Sequence, residues 1–134
     1  MLLKMLIALV LLAHGIGHSI GLLQVFRVVT INPQWHGESW LLGPADAALV
    51  QPIGVAVWSV SIIGFALLAG VVIGWLPAAW WVPLALASAG SSLLGVVLFP
   101  LAFPPYSTVA AAALDVALIV AVSVYHWAPS DLPA

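Results

Sequence analysis

Apolar residues fill four long stretches of this chain, and most of its charged and helix-breaking residues fall between them. The first stretch runs from about Met5 to Phe26, bounded by Lys4 and Arg27. The second, Ile53 to Trp75, holds no charged residue. The third covers Trp80 to Phe99, with Pro83 in its first turn, where a missing N–H is tolerated. The fourth runs from Ser107 or Thr108 to Trp127 and contains Asp115. A helix needs roughly 20 apolar residues to cross a bilayer, and each stretch has about that length. The pattern predicts an all-α, transmembrane, up-down-up-down four-helix bundle forming one integral membrane domain. Its spans lie at about 5–26, 53–75, 80–99 and 108–127, with both termini on one side.

The breaks between stretches are well marked. Leu76-Pro77-Ala78-Ala79 separates the second from the third, and Pro100, Pro104 and Pro105 separate the third from the fourth. Pro129 and Pro133 close the chain in a short tail. The one long connection, 27–52, reads as a cap over the mouth of the bundle, because two tryptophans would be out of place in a solvated loop. Within it, Gly43-Pro44-Ala45-Asp46 reads as a helix start that runs on into the second span with a kink at Pro52. Trp75, Trp80, Trp81 and Trp127 fall at span ends on the side of the N-terminus, as one half of an aromatic belt, with Trp35 and Trp40 placed for the other half.

Small residues recur at helical spacing. Ala13, Gly17 and Gly21 form one stripe, and Gly70/Gly74, Ser88/Ser92 and Ala113/Ala117/Ala121 form others. Such stripes let helices approach closely in lipid. A secretory signal reading of residues 1–26 fails, because the apolar run exceeds the roughly 7–15 residues of an h-region and carries two histidines. Lys4 and Arg27 flank opposite ends of the first span, so the free amine tips the orientation toward an N-terminus inside.

Composition narrows the functional classes. The 134 residues are 65% hydrophobic and 4% charged, against about a quarter charged in soluble domains. Two basic residues and a formal charge of -2 cannot neutralise a phosphate backbone, so nucleic acid is excluded as a partner. The chain has no cysteine, which removes disulfides, thiolate catalysis and thiolate metal sites. The partners that remain are membrane lipid, a small apolar or lipid-like ligand, further copies of the chain, or a larger membrane complex.

Against this background the polar residues inside the spans carry the chemistry. His14 and His18 are four residues apart and share one helix face. Titratable groups at membrane depth are costly and mark ligand, proton or metal sites. At ~1.5 Å of rise per residue, His14 lies about 15 Å and His18 about 21 Å from Lys4. In a core of roughly 30 Å, His18 is then about 9 Å from the far face. Counted from Thr108, Asp115 lies about 10 Å from the same face, which pairs it with His18. His126 belongs to the opposite interface.

Three readings of this set stay open. The histidines and Asp115 can serve as buried glue between helices. They can form a His–Asp pair for proton handling or for holding a polar ligand, since a carboxylate orients an imidazole and raises its basicity. Or His14, His18 and a carboxylate, Asp115 or Glu38, can bind a metal; the i, i+4 histidines suit zinc, but Gly15 stands where H-E-x-x-H places its glutamate. Haem is disfavoured, because two histidines on one helix cannot be opposite axial ligands. No motif names a cofactor. Above the pair, Trp35, His36, Glu38 and Trp40 are the loop residues placed to contact a ligand. Ser88, Ser91 and Ser92 read as packing residues.

The motif His14-Gly15-x-x-His18 followed by Gly21, the segment Trp80-Trp81-x-Pro83-Leu84 and the proline after the third span resemble a widespread group of small four-helix bacterial membrane proteins. Their first helix typically carries Leu-His-Gly-x-x-His-Leu-x-Gly, and they are often labelled permeases. A fainter likeness in layout runs to DoxX-like proteins. The chain departs from the group at Asp115, where relatives tend to carry an amide. The resemblance implies a four-helix protein of the bacterial cytoplasmic membrane. The function read from the buried residues His14, His18 and Asp115, and not from the resemblance, is the binding of a small or lipid-like ligand in a His/Asp pocket, with acid–base chemistry as an option. A non-catalytic accessory subunit, a metal-binding protein and a small oligomeric transporter are the alternatives.

Overall fold

In hydrocarbon every backbone N–H and C=O must be bonded within its own segment, which leaves the helix as the form open to four separate apolar runs. The computed structural model describes residues 1–42 and 47–132, and among these the regular structure is entirely helical. Four segments are long and apolar enough to cross a membrane. The first is built from two helices, α1 (Leu2–Gly17) and α2 (Ser19–Val25), which meet at His18. The others are α3 (Ala47–Val72), α4 (Trp81–Leu98) and α5 (Pro105–Ser123). Pro52 lies inside α3, and Pro105 opens α5 at a position where its missing N–H costs nothing. The expected helix start at Gly43-Pro44-Ala45-Asp46 lies outside the described residues.

The chain runs up-down-up-down, with α3 packed between α1 and α4, and α4 between α3 and α5. At one end, Ser39 Oγ–H donates to Leu98 O and Asn32 Nδ2–H to Leu101 O, so the long loop sits on the α4–α5 turn. At the other end, Lys4, Gly74, Ala78 and Ser130 line a common cavity. The structure therefore has both termini on one side.

Two apolar clusters stack along the bundle. The one nearer the termini centres on Phe65, Leu68, Trp81, Ala85 and Ala89. The one beneath the loop centres on Trp35, Trp58, Phe99 and Phe103. Trp81 was expected at the interface, but it is buried, its indole N–H donating to Trp127 O. Trp75 and Trp80 do stay exposed at that end.

Packing also corrects the small-residue stripes. The buried line of the first span is Ala8, Leu11, Gly15, His18 and Gly21, whereas Ala13 is exposed and Gly17 has open space around it. The imidazole of His18 points inward, and this sets the glycines on either side of it against α3. A Cβ on Gly15 would come within 2.8 Å of Phe65 Cβ, and one on Gly21 within 2.7 Å of the Trp58 ring. Gly74 is not a packing residue; its φ of 82° belongs to the turn after α3, a conformation that favours glycine. On α5 the buried face is Asp115, Leu118 and Val122, so Ala113 and Ala117 point outward.

Gly21→Ala should therefore lower the thermal stability of the detergent-purified protein by about 1–3 kcal/mol through overpacking against Trp58. Gly17→Ala should leave it unchanged or raise it, since alanine is the better helix former. Equal effects of the two substitutions in thermal unfolding would contradict this packing.

Candidate functional site

Between the two apolar clusters lies a closed polar group drawn from three spans. His14 and His18 come from the first span, Ser92 from α4 and Asp115 from α5. His18, Ser92 and Asp115 are buried, and the His14 side chain keeps 9% of its surface exposed. The His14 ring stands edge-on to Phe65 and that of His18 to Phe103, so each imidazole is anchored to a different apolar cluster.

Proton bookkeeping assigns the bonds. The carboxylate of Asp115 accepts from His14 Nε2–H at 2.9 Å through Oδ1 and from Ser92 Oγ–H at 2.5 Å through Oδ2. A serine has a single hydrogen, which Ser92 gives to Asp115. Its oxygen must then accept from His18 Nε2–H, at 2.7 Å, while His14 Nε2 lies 3.2 Å away. Both histidines thus carry hydrogen on Nε2. Their Nδ1 atoms are left as bare acceptors, and that of His18 is buried without a partner among the described residues. Trp58 Nε1 and Ser88 Oγ are in the same condition.

The expected residues converge, but in a different pairing. Depth counting matched His18 to Asp115, whereas His14 makes the direct contact and His18 reaches the carboxyl group through Ser92. The cause is where α5 begins. It starts at Pro105, so Asp115 lies about 15 Å from the loop end of its helix, one turn deeper than a count from Thr108 gives. Ser92, read as a packing residue, is the group that joins the other three. Eleven residues into α4, it sits at the depth of His14, and that count was the signal available in the sequence.

The loop residues form no part of this centre. Trp35 is buried on Trp58 and Phe99, with its indole N–H donating to Glu38 O. Glu38 is exposed, and its carboxylate accepts from the His36 backbone N–H at 2.7 Å. Trp40 donates to Val97 O yet keeps 64% of its surface exposed on the protein, so the loop buries one indole of two. Trp35 and His36 line a separate cavity of about 290 Å³ under the loop. His126 is exposed at the opposite end.

Among the described residues, no group of three or more His, Asp or Glu side chains is arranged to hold a metal ion. What the arrangement can do is hold a histidine as a base. A carboxylate takes Nε2–H of His14 and fixes its tautomer, which leaves Nδ1 to receive a proton. His14 lies one turn beyond an apolar groove between α1 and α5, about 350 Å³ in volume and lined by Val10, Leu11, Leu114 and Leu118 among others. The groove is open on the side that faces lipid if the apolar helices span a membrane.

Two measurements follow. Histidine nitrogen NMR on the reconstituted protein should find both His14 and His18 as Nε2–H tautomers; Nδ1–H forms would break the bonding scheme. Ser92→Ala strips a donor from Asp115 and an acceptor from His18, so thermal unfolding should show a loss of about 1–3 kcal/mol for each group left unpaired. His126→Ala should change stability by no more than about 0.5 kcal/mol. No family model, curated protein or solved structure matches the chain.

Proposed function

We propose that the chain is a protein of the bacterial cytoplasmic membrane, N-terminus inside, that binds a small lipid-soluble molecule by its polar end at His14, Ser92, Asp115 and His18, and exchanges a proton with it. The observation that carries this reading is the convergence of four polar side chains from three spans on one point at mid-span. A single hydrogen bond would tie two helices together. A paired carboxylate and imidazole with a free second nitrogen is the arrangement that acid–base work asks for. The adjoining apolar groove gives the body of a lipid-like ligand a place to lie, with its polar end toward His14. The sequence resemblance to small bacterial four-helix proteins supports the setting.

A second reading, an accessory subunit of a larger membrane complex, draws on the outward face of α5, where Ala110, Ala113 and Ala117 are exposed. The two readings separate in one experiment. Organic extracts of the purified wild type, His14→Leu, Asp115→Asn and His126→Ala are compared by mass spectrometry. On the ligand reading a small apolar molecule accompanies the wild type and His126→Ala, and is lost from the folded His14→Leu and Asp115→Asn proteins. Identical extracts from all four would contradict it and favour the accessory role.

A further inference from the structure

The cavity under the loop has a chemistry that the buried polar centre does not use. Arg27 lines it together with Thr30, Asn32, Trp35, His36 and Gln51, and none of the described residues lining it is acidic. Lys4 and Arg27 are the only two Lys or Arg residues of the chain, and Lys4 is at the other end of the bundle. The amides of Asn32 and Gln51 already donate to Leu101 O and His36 O. Glu38, the neighbouring acid, is turned to the His36 backbone N–H. The Arg27 guanidinium makes neither an ion pair nor a hydrogen bond with any described residue. Arg27, with five donors in a fixed fork and no acceptor for them among the described residues, is thus one of the residues lining a cavity of about 290 Å³.

Position says what would receive them. Arg27 lies two residues beyond α2, the loop-side end of the first span, which sets it at headgroup level if that span crosses the bilayer. A guanidinium binds phosphate through paired, charge-assisted hydrogen bonds, and the described residues of this pocket bring no carboxylate to repel an anion. We propose that this cavity binds a phosphate-bearing anion through Arg27, supplied as the headgroup of an anionic phospholipid or as free inorganic phosphate. The site is independent of the His14–Asp115 centre, and its test does not depend on that reading.

The full chain, purified in a neutral detergent, is titrated in parallel with phosphatidylglycerol, phosphatidylcholine and inorganic phosphate. Bound lipid is read by native mass spectrometry and bound phosphate by calorimetry, for the wild type, Arg27→Gln, Arg27→Lys and Lys4→Gln. Arg27 is exposed and its side chain bonds to no described residue, so its variants should elute and melt as the wild type does. Arg27→Gln is expected to weaken phosphatidylglycerol binding about fivefold, the scale of one interfacial arginine. Arg27→Lys should keep part of the affinity, Lys4→Gln all of it, and phosphatidylcholine should not respond. Arg27-dependent binding of inorganic phosphate, with no preference for phosphatidylglycerol, would support the same site with the free ion as its occupant. Wild-type behaviour of Arg27→Gln toward both phosphatidylglycerol and phosphate would overturn the proposal. So would loss of binding in Lys4→Gln instead.

Discussion

A carboxyl group buried to 0% exposure in the middle of an apolar bundle is the constraint on which the rest of this structure depends. Burying such a group without partners costs several kcal/mol, and hydrocarbon offers no water in exchange. Asp115 finds its partners in His14 and Ser92, on two other spans. That demand fixes the rotation of α5, which must turn Asp115, Leu118 and Val122 inward and leave Ala113 and Ala117 outside. It also fixes the first span, whose histidines must face protein.

The remaining packing follows from those rotations. With the histidines turned in, Gly15 and Gly21 meet α3 at contact distance, and no larger residue fits over Phe65 or Trp58. Trp58 can then fill the space beneath the loop with Phe99 and Phe103, and Trp35 closes it from above. Helices in lipid gain nothing from expelling water, so close contact and shared hydrogen bonds hold them. This bundle has one of each between α1 and its neighbours: glycine against aromatic on α3, and imidazole against carboxylate on α5.

The fold was legible because four apolar runs, each long enough to span, leave few alternatives once lipid is the solvent. That His14, His18 and Asp115 come together was also legible, since polar residues at similar depth in antiparallel spans seek one another. Which histidine meets the acid was not. The answer turned on α5 beginning at Pro105 instead of Thr108, and one helical turn decides between residues four apart. Ser92 was hidden for another reason. A serine among small residues looks the same in sequence whether it packs or bonds, and only the neighbouring helices tell the two apart. The break at His18 left no Pro or charge to announce it, and Trp81 looked like a belt residue because its partner, the Trp127 carbonyl, lies 46 residues away.

A site of this kind couples stability to function: the groups that would hold a ligand also hold the spans together. The central claim is that His14 and Asp115 act as a pair, and a double-mutant cycle tests it most directly. Thermal or denaturant unfolding in detergent is measured for the wild type, His14→Leu, Asp115→Leu and the double variant. Each single change leaves a buried polar group without its partner, whereas the double change removes both. The account predicts that the double variant loses less stability than the sum of the two singles, by about 1–3 kcal/mol. Losses that add to within about 0.5 kcal/mol would show two independent residues and contradict the account.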